Sequence, residues 1–385
     1  MYTKNRGRAI GGMPSNYPGK RNILIILFLL LNITVNARIL WVTPRGNDAN
    51  TGADSSALGA WATWGKAFRS AIAGDTVYFR GGIYYVTTSS DYGAIQNSGT
   101  VNKKICFHAY PNDYTSGNHP ILDFSRYECG AWTYAIRTNG DNHLEFKGLT
   151  IRHMAQYGGY LNALFIENSD DILIENMTAH HIGGPAFNLQ ASTNLIVKNC
   201  DAWEVCDTLN SRGAGMDGNG FAGAAKYYGC RAWNCSDWGF VVAGNEYSEY
   251  DHCWSFQNGR FYGEGGGIKY SMGYRTDTTV ALARTIKNSI FAINAFVGGE
   301  PNNVGGSPFN GHYYNNFLYR NGFKEILDPE VLGPFVGSGW WICSPASAYY
   351  NYYPPNEMFA NNISYDNDNS RQFYNQGYYS HVYNS

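Results

Sequence analysis

The feature that most constrains this chain is a short pattern that recurs at irregular intervals. Each copy has a short apolar strand, a small or polar turn residue, a second apolar strand and a polar turn. Intervals between the first turn residues of neighbouring copies are 28, 23, 30, 23, 36, 27 and 46 positions, which indicates a base unit near 23 residues with insertions. The eight aligned turn residues are Gly148, Asn176, Asn199, Gly229, His252, Asn288, Asn315 and Asn361.

This irregular repeat is typical of a solenoid whose coils carry loops of different sizes, and it does not suit propeller blades of constant length. Apolar side chains would alternate into the cylinder, and neighbouring strands would stack about 4.8 Å apart. A β-sandwich would need antiparallel hairpins, and two-residue hairpin signals are scarce. We therefore predict an all-β, right-handed parallel β-helix. It would form one domain over residues 38–385, with a short capping helix at Trp64 to Ala73. The last residues read as another coil, so we expect a chain that is either truncated at the C-terminus or ends without a cap.

The composition agrees with a fold made of tight turns. The 45 glycines and the many asparagines tolerate left-handed backbone angles. The 31 tyrosines and 10 tryptophans include side chains that could stack on sugar rings if exposed, although most individual aromatic residues are expected to pack. The formal charge of −2 comes with no basic patch, so nucleic acid is not an expected partner.

The N-terminus contains an apolar run from Ile23 to Val35, preceded by Lys20 and Arg21 and followed by Ala37. A basic flank, a short apolar core and a small residue at the cut are typical of a signal peptide. The run is short for a membrane span, which needs about 20 apolar residues. We predict a signal peptide at residues 1–37, a secreted protein, and no membrane attachment after cleavage.

Three of the eight cysteines follow the aligned turn residue directly, at Cys200, Cys230 and Cys253. Stacked coils would place these three in an inward ladder of small apolar side chains. Export permits disulfides, and the even number of cysteines is compatible with pairing. Buried free thiols are the preferred interpretation for this ladder.

Two stretches of the chain resemble a known family. The residues from Asn199 to Val242, and from Glu264 to Tyr270, resemble the core of polysaccharide lyase family 9, the pectate-lyase-like group. The opening from Ile39 to Val86 is similar to a start common to many secreted β-helix polysaccharide enzymes. The resemblance implies a lyase that cleaves a uronate-containing, pectin-like glycan by β-elimination. We expect an acidic polysaccharide as the partner and a monomeric protein.

Elimination from a uronic acid has two chemical requirements. A cation must neutralise the carboxylate, and a base must reach the weakly acidic proton beside it. The family's base is a lysine in a strand, and the resemblance places it at Lys269. The expected geometry has Lys269 and Asp237 side by side along one trough.

The calcium ligands of the family are only partly present in this sequence. The resemblance places them at Asn219, Asp237, Trp238 and Val241, where Asp237 is the single carboxylate. Asp217 could substitute if the register slips by two residues. Because calcium takes roughly six to eight oxygen ligands, we expect at most a weak site formed by Asp217, Asn219 and Asp237.

Two alternatives follow from this poorer ligand set. Arg212, Arg231 or Arg275 could neutralise the substrate carboxylate by bidentate pairing, and Arg212 and Arg275 are the candidates retained for catalysis. Alternatively, the chain is an inactive β-helix that only binds glycan, since Trp238 in place of a carboxylate would suit stacking on sugar.

Other polar groups fit less well with catalysis. A polygalacturonase-type hydrolase needs clustered carboxylates, yet the single Asp-Asp pair, Asp170 and Asp171, is interpreted as a polar turn, and no Gly-His-Gly segment occurs. His180 and His181 lie in a predicted coil turn and are interpreted as structural.

Overall fold

A computed structural model describes this protein at residues 37–155, 160–206, 218–243, 247–259, 265–271, 282–302, 309–322, 337–342, 356–367, 373–375 and 380–383. Its strands form three sheets, each built from parallel neighbours that succeed one another by one coil. The chain passes from sheet A to sheet B to sheet C and then begins the next coil. The predicted parallel β-helix is therefore confirmed.

Sheet A has twelve strands in the described residues. They are β1 (Ile39–Val42), β2 (Thr76–Phe79), β5 (Ile105–Ala109), β8 (Leu144–Lys147), β11 (Asp170–Glu175), β14 (Thr193–Lys198), β17 (Lys226–Tyr228), β20 (Glu249–Asp251), β23 (Leu282–Lys287), β26 (Phe309–Tyr314), β29 (Asn356–Ala360) and β32 (Ser380–Tyr383).

Sheets B and C have ten strands each in the same part of the chain. Sheet B contains β3 (Gly82–Tyr85), β6 (Pro120–Asp123), β9 (Thr150–Arg152), β12 (Thr178–Ile182), β15 (Asp201–Val205), β18 (Arg231–Cys235), β21 (Trp254–Phe256), β24 (Ile290–Ala292), β27 (Phe317–Tyr319) and β30 (Ile363–Tyr365). Sheet C contains β4 (Gly93–Ala94), β7 (Tyr134–Asn139), β10 (Asn162–Glu167), β13 (Phe187–Gln190), β16 (Phe221–Gly223), β19 (Phe240–Ala243), β22 (Ile268–Ser271), β25 (Val297–Asn302), β28 (Ser338–Ile342) and β31 (Phe373–Asn375).

The turn between sheets A and B explains the repeat seen in the sequence. All eight aligned turn residues have left-handed backbone angles, with φ between 49° at Asn199 and 72° at Gly148. Glycine has no Cβ to clash there, and asparagine tolerates this region better than most residues. The recurring Asn or Gly therefore marks the same bend in each coil, which is why the coils could be aligned from the sequence.

A short helix covers the N-terminal end of the cylinder. Helix α1 (Trp64–Ser70) begins after Thr63, whose hydroxyl accepts a hydrogen bond from the Lys66 N–H at 3.1 Å. Its apolar face buries Trp64 and Phe68. The predicted capping helix is confirmed but ends at Ser70 rather than Ala73, because the backbone at Ala71 is already extended. A second helix, α2 (Pro111–Thr115), lies in a loop and buries none of its residues.

The interior is a stack of apolar and amide side chains. Cys200, Cys230 and Cys253 are fully buried and carry free thiols, as predicted. Farther along the cylinder the inward positions are taken by asparagines, which hydrogen-bond from coil to coil. One such ladder consists of Asn258, Asn294, Asn321 and Asn367.

The buried cysteine ladder has a direct chemical consequence. We expect the thiols of Cys200, Cys230 and Cys253 to resist a thiol reagent in the folded protein, while the partly exposed Cys106 reacts first. After denaturation without reductant all three should become modified, as mapped by mass spectrometry. Recovery of any of them in a disulfide-linked peptide would contradict this arrangement.

The predicted signal peptide at residues 1–37 lies almost entirely outside the described residues and stays a prediction. In the part of the chain that the structure describes, neither helix is long and apolar enough to cross a membrane.

Candidate active site

Lys269 lies in the middle of β22 and points outward from sheet C. Its neighbours Ile268 and Tyr270 are fully buried in the core, so the alternation of the strand turns Lys269 to the other face. The register places Val241 of β19 on one side of it and Glu300 of β25 on the other. The predicted base is therefore on the outer surface of the cylinder.

Two side chains hold the Lys269 amine in place. Its Nζ lies 5.2 Å from the ring centroid of Trp238 and 3.9 Å from Oε1 of Glu300. A cation above an indole face is attracted by the ring electrons by about 0.5–2 kcal/mol. The Lys269 side chain retains 24% of its exposure, whereas that of Glu300 retains 4%. The amine thus reaches the surface at the edge of a buried aromatic and carboxylate patch.

Trp238 supports this amine from a buried position. It is 2% exposed and packs edge-on against Phe296, with ring centroids 6.4 Å apart. Its indole occupies the space over Gly266, where an added Cβ would lie 2.5 Å from the ring. The alternative in which Trp238 stacks on sugar is wrong, because its ring is buried. Gly266 of the next coil has no side chain, and this leaves room for the ring against sheet C.

Asp237 and Asn219 lie in the turns that lead into β19 and β16, on the same side of the cylinder as Lys269. Both are buried, at 2% and 5% exposure. The Asn219 Oδ1 accepts a hydrogen bond from the Trp238 N–H at 3.2 Å. The Asp237 carboxylate is therefore buried rather than accessible beside Lys269. Of the two groups expected along the trough, only the Lys269 amine reaches the surface.

A calcium ion is implied by the family resemblance. Calcium takes roughly six to eight oxygen ligands. At the four implied positions, Trp238 and Val241 supply no side-chain oxygen, and the Asn219 amide oxygen already serves the Trp238 backbone. The described residues do not fit a calcium site of that kind. Asp217 lies outside the described residues.

Of the three candidate arginines, the structure describes Arg231. Arg231 lies on β18 of sheet B, where its Nε donates to Oδ1 of Asp201 at 2.7 Å. It therefore belongs to a different sheet from Lys269 and is not a neutralising group for this site. Arg212 and Arg275 lie outside the described residues and stay predictions.

An aromatic platform, which sequence reasoning did not locate, lies at the start of two strands of sheet C. Trp132 and Tyr160 precede β7 and β10, are 65% and 40% exposed, and stack with centroids 4.5 Å apart. Beside them Tyr134 stacks on Phe165 at 4.8 Å. With strands about 4.8 Å apart, the platform lies about 19–24 Å along sheet C from Lys269. The high aromatic content was the only signal for it.

Comparisons with known proteins agree with this architecture. Residues 40–328 match the family model described as Pel9A-like, right handed beta helix region. The chain is 27% identical over 315 residues to pectate lyase L of Dickeya dadantii (strain 3937), covering 76% of this chain and 68% of that protein. It is 26% identical over 363 residues to pectate lyase L of Paenibacillus polymyxa (strain SC2), covering 91% and 67%.

Solved structures share the fold. A rhamnogalacturonan lyase superposes with a TM-score of 0.60 at 20% identity, covering 91% of this chain and 88% of that chain. Pectate lyase Pel9A superposes with a TM-score of 0.57 at 15% identity, covering 91% and 80%. Because the family model spans three quarters of the sequence, and the sheets have the matching parallel arrangement, this chain belongs to the Pel9A-like right-handed β-helix family.

Proposed function

We propose that this protein is a polysaccharide lyase that cleaves a uronate-containing glycan by β-elimination, with Lys269 as the base. One observation carries the proposal: the Lys269 amine reaches the outer surface of sheet C, held above Trp238 and beside Glu300. Relatives named pectate lyase support the class of reaction and an acidic polysaccharide as partner. The candidate substrates are pectate and a glycan of the rhamnogalacturonan type.

The proposed reaction moves one proton from carbon to Lys269, a second from water to the leaving oxygen, and two electron pairs. Lys269 first releases the proton of its ammonium to water, and the free amine then takes the proton beside the uronate carboxylate, at C5 of the sugar. The C–H electron pair forms the C4–C5 double bond, and the glycosidic oxygen leaves with its bonding pair and takes a proton from water. Glu300 and the Trp238 ring both attract the ammonium that this step creates. Arg212 and Arg275 are the proposed partners of the substrate carboxylate.

The aromatic platform extends the proposed site along the sheet. Flat exposed rings such as Trp132 and Tyr160 are suited to stack against sugar faces, and they lie on the sheet that carries Lys269. We propose that they bind sugars distant from the bond that is cleaved. We also propose export through the segment at residues 1–37 and action outside the cell as a monomer.

A direct assay tests the reaction class. The full chain is incubated with pectate and with rhamnogalacturonan, and the ultraviolet absorbance of the unsaturated uronate product is followed. We expect absorbance to rise on at least one of them. Binding of both glycans without unsaturated product would replace the lyase by a glycan-binding protein.

The same assay tests the role of calcium. Because the described residues do not fit the family's calcium site, we expect the protein to retain most of its activity in the presence of a chelator. Adding Ca²⁺ back should change the rate little. Complete loss with the chelator, restored by Ca²⁺ alone, would show that a calcium site is assembled after all and would contradict this expectation.

A further inference from the structure

Three histidines come together on the outer side of sheet B, a different sheet from the one that carries Lys269. His153, His180 and His181 each offer a ring nitrogen, and these atoms all lie within 4.8 Å of one another. The proposed lyase reaction uses none of them. Three imidazoles converging on one point are a donor set that divalent transition metals favour.

The stacking of coils creates the cluster. Arg152 of β9 pairs with His180 of β12, so His153 and His181 occupy the same position of successive coils. Both have left-handed backbone angles, with φ of 60° and 55°. The ring of His180 is also stacked on Trp203 of the next coil, with centroids 4.4 Å apart. The three rings are therefore held by backbone turns and packing.

Two carboxylates orient the rings from outside the cluster. Nδ1 of His153 lies 3.2 Å from both carboxylate oxygens of Asp123, and Nε2 of His181 lies 2.8 Å from Oε2 of Glu204. Metal-binding histidines commonly use one nitrogen for the ion and give the other to such a carboxylate. The arrangement leaves Nε2 of His153 and Nδ1 of His181 to act as ligands.

The remaining contact shows where an ion would sit. Nδ1 of His180 and Nδ1 of His181 lie 2.8 Å apart, a distance at which one proton is shared between two lone pairs. In a tetrahedral zinc site with bonds of about 2.0–2.1 Å, two nitrogens lie about 3.4 Å apart. A rotation of the partly exposed His181 ring, with 43% of its side chain accessible, provides that opening.

We propose that His153, His180 and His181 bind one divalent transition-metal ion of the zinc class, with Asp123 and Glu204 holding the rings of His153 and His181. Binding displaces the proton shared between the two Nδ1 atoms, and His180 carries it on Nε2 instead, so that each ring stays neutral with one proton. This metal site is separate from the proposed lyase site. A result that disproves metal binding therefore does not affect the lyase proposal, and the reverse also holds.

Among the described residues, the charged groups Asp123, Glu204 and Arg152 lie around the cluster, and the Arg152 Nε donates to Asp123 at 2.7 Å.

The test uses the full chain, stripped of metal with a chelator and titrated with Co²⁺. We expect one Co²⁺ per chain, with the visible absorption of cobalt bound by imidazole nitrogens, and displacement by Zn²⁺. His153→Ala should weaken binding by at least about a hundredfold, and Glu204→Gln by about 10–100-fold, since an outer partner contributes less than a ligand.

His252→Ala is the matched control. His252 also has a left-handed φ, 56°, and a carboxylate contact with Asp251 at 2.7 Å, but it is not among the clustered histidines. We expect this variant to bind Co²⁺ as tightly as the unsubstituted protein. Equal Co²⁺ affinity in the unsubstituted protein and in folded His153→Ala would overturn the proposal and leave the three rings as a packing cluster.

Discussion

Lys269→Ala is expected to lower kcat/KM for elimination by about 10²–10⁴-fold, the usual contribution of a positioned general base. The methyl side chain cannot take the proton, and water does not replace an amine held above Trp238 and beside Glu300. The fold should persist, since Lys269 is on the outer face of its strand. The rate of unsaturated product formation and the far-ultraviolet circular dichroism measure the two effects.

A second variant distinguishes the role of Lys269 as a base from the role of its positive charge, and a third serves as a control. Lys269→Arg keeps a cation near Glu300 and Trp238, but a guanidinium does not lose its proton in proteins. We expect it to bind the glycan like the unsubstituted protein and to be nearly as inactive as the alanine variant. Lys226→Ala, at an exposed lysine of sheet A, is the control and should be fully active. Full activity of Lys269→Ala would remove the site assignment.

Asn294→Ala is expected to cost about 3–5 kcal/mol of unfolding free energy, because it breaks a buried network rather than one bond. The Asn294 Nδ2 donates to Oδ1 of Asn321 at 2.9 Å and to the Ser255 carbonyl at 3.1 Å. Its Oδ1 accepts from both the backbone and the side-chain nitrogens of Asn258, at 3.2 and 3.0 Å. Alanine leaves several of these groups buried without partners.

Urea unfolding measures this loss as a lower midpoint at constant slope. The matched control is Asn315→Gly, at an exposed turn with φ 57° and a single side-chain bond to Asn288. Glycine keeps the left-handed backbone, so this change should cost less than about 1 kcal/mol. If both variants unfolded at the same urea concentration, the amide ladder would not be a major source of stability.

The fold could be predicted because its periodic signal is local. A left-handed turn residue is required wherever a coil bends, and only a few residue types tolerate that angle, so the bends at Asn176, Asn199 and Asn288 are visible in the sequence. The cysteines directly after the bend could then be assigned to the core. The amide ladder at Asn258 and Asn294 was not predicted, since asparagine was interpreted as a turn residue only.

The candidate active site was predicted less completely, because the residues that surround Lys269 come from different coils. The family resemblance selected Lys269, and the structure shows that the alternation along β22 turns it outward. The burial of Trp238 depends on Gly266, one coil later, whose missing side chain makes room for the indole. A single sequence does not show which residues of successive coils face each other across an insertion, so the Trp238 assignment was wrong.

Sequence alone therefore determined the parallel solenoid and the inward cysteine ladder. Both follow from backbone preferences and strand alternation within a few residues. Only the tertiary structure decided that Asp237 is buried, that Trp238 lies under the amine, and that His153 meets His180 and His181. Those contacts depend on the register between coils, which hydrogen bonds between neighbouring strands establish and which loops of unequal length conceal in the linear chain.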